Sequence, residues 1–430
     1  MEIDYFDIAA VFALVVLGVL LFLVLFEPGL AYKIDSELPA PDSENFSRLL
    51  AAVVDETVLE IRDFEVLRDG AVFYPAQLAA ISNAKTSIHL EAFIFHATPI
   101  GERFVSALAE RAQAGVKVRV IVDAVGSMLT PARFFDRLRD AGGNVVWYQP
   151  LRWYTLKRFN NRTHRELMVI DGMTAFIGGA GIASAWDQGV DGRQPWRDTV
   201  VRVAGPTAAA VQTVFIENWL ESSGEVLADE AVFPLGNQFE QLTVAGERLS
   251  LVVGSSPTAG RGTRARILFQ LLIAAARSEI RINSPYFLPD RAMRRQLLNA
   301  AARGVKVTVI VPGKYNNHLM ARYASRRLYG ELLSGGIEIY EYQPGMIHAK
   351  ILIVDRLWSV VGSTNFDSRS FELNDEVNLA VMDKKIAGQL VLDFERDLHA
   401  SLPVKLREWV RRPVAERMLA TIGRVIERQE

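Results

Sequence analysis

The chain contains no cysteine. That excludes disulfides, thiolate nucleophiles and cysteine-built zinc sites. It also lacks an excess of either charge: 48 Lys and Arg stand against 50 Asp and Glu, a formal net charge of −2. Chains built to coat nucleic acid carry a clear basic excess, so no nucleic-acid partner is expected. Histidine is scarce, with 6 residues in 430: His89, His96, His164, His318, His348 and His399. What is present is a folded composition, 50% hydrophobic and 23% charged. The length suggests core for two or three domains rather than one.

One uninterrupted apolar run stretches from Ile8 to Phe26, with no charged or polar side chain. A helix needs about 20 residues to cross the hydrocarbon core. A secretory signal has a shorter apolar region, about 7–15 residues, behind basic residues. Here Glu2, Asp4 and Asp7 lead in, and Glu27-Pro28-Gly29 makes a poor cleavage site. A transmembrane anchor over 8–26 is therefore expected. Lys33 follows the run and no Lys or Arg precedes it, which places the body of the chain in the cytoplasm by the positive-inside rule. The expected location is a cell membrane, with a single pass.

The remainder repeats itself. Gly115-Val116-Lys117-Val118-Arg119-Val120-Ile121-Val122 matches Gly304-Val305-Lys306-Val307-Thr308-Val309-Ile310-Val311. Ala141-Gly142-Gly143 before Val145 to Pro150 matches Ser334-Gly335-Gly336 before Ile337 to Pro344. Residues His164 to Gly181 match His348 to Asn365. Alternating strand and helix patterns in both copies predict two α/β units, over 46–235 and 250–402, with a glycine-rich boundary around 227–262. Two repeats that each supply half a site imply a cleft on their pseudo-two-fold seam.

The sharpest chemical signal is His348-Ala349-Lys350-Ile351-Leu352-Ile353-Val354-Asp355, then Gly362-Ser363-Thr364-Asn365. Side chains alternate along a strand, so His348 and Lys350 share a face. Ser363 and Asn365 add neutral donors, which together describe an oxyanion pocket beside an imidazole. Asp355 falls on the other face, where bracing the fold is expected, although it remains among the candidate catalytic residues. The upstream copy keeps His164, Asp171, Gly178 and Gly179 but has Glu166 for the lysine and Gly181 for the asparagine. Two imidazoles around one phosphorus can divide the work: one attacks, the other moves the proton of the alcohol. Each needs an acceptor on its second nitrogen. Asp198 and Glu376, at comparable points after the two motifs, are the candidates.

With these residues in place the sequence resembles the phospholipase D superfamily, and within it the bacterial cardiolipin synthases. The second motif fits the family's His-x-Lys-(x)4-Asp pattern in full. Supporting phrases occur in order: Val122 to Ser127, Pro195-Trp196-Arg197-Asp198, Phe215 to Trp219, Ser284 to Asp290 and Asn365 to Phe371. The resemblance implies duplicated phospholipase D-like α/β sandwich units with a pseudo-two-fold active site. It implies His164 as nucleophile, His348 as general acid/base, no metal and no other cofactor. It implies transfer of a phosphatidyl group between two phosphatidylglycerol molecules, giving cardiolipin and glycerol. Candidate phosphate contacts are Lys350, Ser363, Asn365 and Gly179.

Glu166 departs from the family pattern and leaves three outcomes: pairing with a cation such as Lys350, turning away, or a crippled half-site. Phospholipase D hydrolysis and a catalytically weak lipid-binding scaffold are the competing functions. Residues 403–430 read as a basic amphipathic helix, with Pro403 and Pro413 interrupting it. Trp153, Tyr154 and Phe159, with Arg152, Lys157 and Arg158, form an insertion before His164 that could guide lipid into the cleft or pack on its own unit.

Overall fold

In the computed structural model the described residues are 5–25, 33–34, 37–61, 63–150, 160–190, 192–228, 232–233, 248–257 and 263–412. The aromatic insertion at 151–159, most of the boundary segment and residues 413–430 lie outside them.

Two sheets carry the fold, and their strand orders coincide. The first runs Phe64–Arg68, Thr199–Ala204, Thr174–Gly178, Leu167–Ile170, Ser87–Ala92, Lys117–Asp123, Asn144–Tyr148. The second repeats that order as Leu249–Ser255, Asn374–Met382, Trp358–Gly362, Ile351–Val354, Glu279–Asn283, Lys306–Pro312, Glu338–Tyr342. In each, the last three strands are parallel and the others antiparallel. The inner parallel strands Ser87–Ala92, Lys117–Asp123, Glu279–Asn283 and Lys306–Pro312 are buried almost throughout, as crossover units require.

Alternation assigns each strand two cores. Met168 and Ile170 pack outward under helices Gly70–Asn83 and Pro99–Gln113, while Leu167 and Val169 face the seam. Leu352 and Val354 likewise face outward, and Ile351 and Ile353 face the seam. The seam is one continuous core. It joins Val169, Ile177 and Val201 of the first unit to Ile353, Val361 and Leu379 of the second, with helices Pro206–Ser223 and Lys384–His399 between the sheets. A shared core fixes the lobes against each other, since prying them apart would expose apolar surface at about 25 cal/mol per Å².

Even the turns are duplicated. Asp171 and Asp355 both adopt left-handed backbone at φ 53, tolerated because an aspartate side chain can bond nearby backbone. Gly115 and Gly304, between helix and strand, sit at φ 88 and 90, where a Cβ would be strained.

The observed boundaries differ from those expected at two places. The expected first unit, 46–235, takes in most of helix Glu44–Val54 and strand Leu59–Glu60. They belong to the second: Phe46, Leu50 and Val54 join its outer core, and Leu59 pairs with Ser250. Residues 403–410 are not one amphipathic helix. Strand Ser401–Pro403 pairs with Glu338–Tyr342, and helix Leu406–Val410 docks through Trp409, whose Nε1 donates to the Arg326 carbonyl at 2.9 Å. Helix Tyr5–Leu25 coincides with the apolar run. Its described side chains are 5 and 10–19, and among the described residues no helix is long and apolar enough to cross a membrane.

Candidate functional site

The two motifs meet at the seam because each unit lends the other a backbone partner. Arg162–Thr163 pairs in parallel with Asn374 and Asp375, and the His164 amide donates to the Asp375 carbonyl at 2.8 Å. In the mirror position Ile347 bridges Arg197, and the His348 amide donates to the Arg197 carbonyl at 2.7 Å.

These exchanged contacts cross the carboxylates over. His164 Nδ1 lies 3.1 Å from both oxygens of Glu376, a residue of the other unit. His348 Nδ1 lies 2.9 Å from Asp198 Oδ2, again from the other unit. Each carboxylate holds the proton on Nδ1 and leaves Nε2 as the reactive atom. Ser363 donates to Glu376 and accepts from the Val377 amide at 3.0 Å, so it orients that carboxylate. Asp198 accepts from Trp186 Nε1 at 2.9 Å and from the Thr199 amide at 2.8 Å. Burial works to raise Asp198, but the His348 hydrogen bond and the Lys350 charge hold it below the ordinary carboxylate range.

The imidazoles have different walls. Phe93 stands edge-on to His164 at 5.2 Å. Trp186 and Trp196 flank His348 at 5.2 and 5.4 Å. Burial and then the Lys350 charge push His348 down to about 4, against the pull of Asp198.

Lys350 lies against His348, with Nζ 2.8 Å from the ring Nδ1 and 2.8 Å from the backbone carbonyl. Nδ1 cannot both donate to Asp198 and accept from the ammonium. The carboxylate accepts the Nδ1–H hydrogen bond, and the lysine donates to the carbonyl. Burial pulls Lys350 down to about 8, opposed by Asp198, Glu376, Glu166 and Asp367. Gly179 makes room for it: a Cβ there would lie 2.6 Å from Lys350 Cδ and 2.8 Å from Nζ. Asn365 is buried, and its side-chain oxygen has no hydrogen-bond partner among the described residues.

The sequence therefore brings His164, His348, Lys350, Asp198, Glu376, Ser363, Gly179 and Asn365 to the seam. Asp171 and Asp355 are a correction. Each stands beyond its motif strand, about 20 Å of extended chain from its histidine. Asp171 accepts from the amides of Lys85, Thr86 and Ser87 at 3.0, 2.7 and 3.0 Å. Asp355 accepts from those of Arg277, Ser278 and Glu279 at 2.8, 2.7 and 3.0 Å. Both tie a turn to the sheet, apart from the cluster at the seam. Of the outcomes open to Glu166, the structure has it turned to the amides of Phe93 and Ile94, both at 3.2 Å.

Sequence reasoning missed a buried network under the histidines. Thr163 and Asn218 both donate to Glu91, the latter at 2.7 Å. Arg197 Nε bonds Asp397 at 3.0 Å, and Tyr148 donates to Asp375 at 2.5 Å. A glutamate in the otherwise inward strand Ser87–Ala92 was the available signal. Among the described residues no group of three or more His, Asp or Glu could hold a metal ion.

Two facing α/β units with a histidine from each, oriented by the carboxylate of the other, define a phospholipase D-like protein. A family model described as "Cardiolipin synthase, PLD-like domain" matches residues 78–191 and 270–398. The chain is 33% identical over 368 residues to the probable cardiolipin synthase YwiE of Bacillus subtilis (strain 168), covering 84% of this chain and 71% of that protein. It is 33% identical over 372 residues to the major cardiolipin synthase ClsA of the same organism, covering 85% and 75%. Phosphatidylserine synthase of Haemophilus influenzae Rd KW20 shares the fold, with a TM-score of 0.67 at 18% identity, covering 89% of this chain and 98% of that one. The chain belongs to the phospholipase D-like cardiolipin synthase family.

Proposed function

We propose that the protein is a phosphatidyltransferase that makes cardiolipin and glycerol from two molecules of phosphatidylglycerol. The observation that carries this reading is the crossed pair His164–Glu376 and His348–Asp198. His164 Nε2 attacks phosphorus as the bond to the headgroup glycerol breaks, and His348 gives its Nε2 proton to the departing oxygen. The headgroup hydroxyl of a second phosphatidylglycerol then loses its proton to His348 and attacks phosphorus. The nitrogen–phosphorus bond breaks, and cardiolipin leaves with His164 restored. In the free protein His348 is held neutral by burial and by Lys350. A bound phosphodiester adds a negative charge beside it, which raises its proton affinity and supplies the acid form. Lys350 and the Asn365 amide are the phosphate contacts; Gly179 makes room for Lys350, and Ser363 orients Glu376.

Helix Tyr5–Leu25 anchors this body in the membrane. Supporting that reading, Val11, Phe12 and Leu14 are 61%, 69% and 67% exposed on it, with the body offering them no core. The membrane is a bacterial inner membrane, with the catalytic body on the cytoplasmic side. Resistance to alkaline extraction, lost on deleting residues 1–30, tests the anchor.

The reaction is tested by supplying the detergent-solubilised protein with phosphatidylglycerol and identifying the products. Cardiolipin plus glycerol supports the transferase. Phosphatidic acid in its place would make the protein a hydrolase, and lipid binding without any product would leave a scaffold.

A further inference from the structure

The two departures of the first motif are one structural change. A Cβ at Gly181 would lie 3.1 Å from Glu166 Oε1 and 2.7 Å from both the Ile94 carbonyl and its Cβ. Any residue larger than glycine there, such as the asparagine at 365 in the second copy, would crowd the carboxyl off its amides. Glu166 is 8% exposed. Its Oε1 already accepts from two amides, so a further ligand falls to Oε2. The charges around it are lopsided. Lys350 is its cation, but that ammonium is bonded to His348. Asp198 faces it, as does the Tyr74 hydroxyl, which is committed to the Gly181 carbonyl at 2.6 Å. Behind it a cavity of about 20 Å³ is lined by Glu91 as well as Glu166. Burial drives Glu166 well above the usual carboxylate range. An ionised carboxylate beside a phosphodiester would repel it, whereas a carboxylic acid carries one donor.

We propose that Glu166, in the space left by Gly181, is a phosphoryl-oxygen subsite. Its Oε1 rests on the amides of Phe93 and Ile94, and its Oε2–H donates a hydrogen bond to a non-bridging oxygen of the bound phosphodiester. The first half-site thus holds phosphate by a neutral donor, and the second by the Lys350 cation. The ligand class is an anionic phosphodiester, so the inference rests on the phosphoryl-transfer reading above. Raising the pH removes the donor and puts a negative charge in its place, so anion binding weakens.

The test uses the full chain in detergent, with sulfate as probe because it keeps its charge over this range. Sulfate affinity is measured by calorimetry at pH 6.5 and pH 9 for the parent, Glu166→Gln and Gly181→Ala. Glu166→Gln keeps a neutral donor. It should bind within about three-fold of the parent at the lower pH and lose about ten-fold less affinity on going to the higher one, a difference of about 1.4 kcal/mol. Lys350 titrates in the same range and Glu166 acts on it, so both proteins are also measured in a Lys350→Met background, where the difference belongs to Glu166. Gly181→Ala should weaken binding at the lower pH. A parent-minus-Glu166→Gln infrared difference spectrum at neutral pH should contain the carbonyl band of a protonated carboxylic acid. Equal pH dependence in parent and Glu166→Gln, or absence of that band, overturns the proposal. Neither readout needs turnover, so failure to make cardiolipin would sink the functional reading and leave this one to be decided on its own.

Discussion

The two half-sites share a backbone and differ in chemistry. On one side stand His164, Glu166, Gly179 and Gly181, and on the other His348, Lys350, Ser363 and Asn365. The difference teaches how a near-symmetric fold runs an asymmetric reaction. The duplicated strands supply two imidazoles at matched positions, and crossed carboxylates fix the same tautomer on both. His348 is depressed by burial and by an adjacent buried ammonium, and it is boxed between two tryptophans. That ring is suited to handling a proton, and the other, backed by Glu376 and Ser363, to bonding phosphorus.

The largest effects should come from the rings. His164→Ala and His348→Ala should each lower turnover by at least about 10²–10⁴-fold, measured as cardiolipin formed from phosphatidylglycerol. Near-parental turnover from either would end the two-ring account. Next come the carboxylates, because an imidazole without its acceptor loses the tautomer it needs. Glu376→Gln and Asp198→Asn should cost about 10²–10⁴-fold, but at different stages. Rapid quench should show Glu376→Gln abolishing the fast first-turnover release of glycerol, and Asp198→Asn slowing both release and re-use of the bound group. Effects assigned the other way round would break the crossing.

Lys350 sharpens the comparison through pH. It is a cation below about 8 and loses its charge above, so turnover should fall as pH rises through that value. Lys350→Arg, whose guanidinium stays charged, should move the alkaline fall upward, and Lys350→Met should cost about 10²–10³-fold at neutral pH. An unmoved alkaline fall in the arginine variant would assign it to another group. The smallest catalytic effect belongs to the matched aspartates. Asp171→Asn and Asp355→Asn should each lose about 1–3 kcal/mol in denaturant unfolding, with turnover per folded molecule little changed. A large loss of turnover at unchanged stability would return them to the chemistry.

Much of this was legible in the chain because repetition exposes itself. The paired Gly-Val-Lys-Val strands and the two His motifs fixed the duplication, and strand alternation placed His348 and Lys350 together. Asp198 and Glu376 were findable as acceptors, but their exchange was not. Which unit lends a strand to which is settled by the seam, through pairs such as Asp375 with Thr163. The place of helix Glu44–Val54 is hidden for the same reason: an amphipathic helix declares an apolar face and not the sheet it covers. Ser363 and Gly179 looked like phosphate contacts because hydroxyls and glycines often are. In the structure Ser363 bonds Glu376, and Gly179 borders Lys350.

The nucleophile can be identified directly. His348→Ala, given a phosphatidyl ester with an activated aryl leaving group, needs no proton donor to start and has no base to finish. Mass spectrometry of the protein after digestion should then find a phosphatidyl group on the His164 imidazole, with one equivalent of aryl alcohol released. Release without any covalent adduct, or an adduct on a different residue, would contradict an attack by His164.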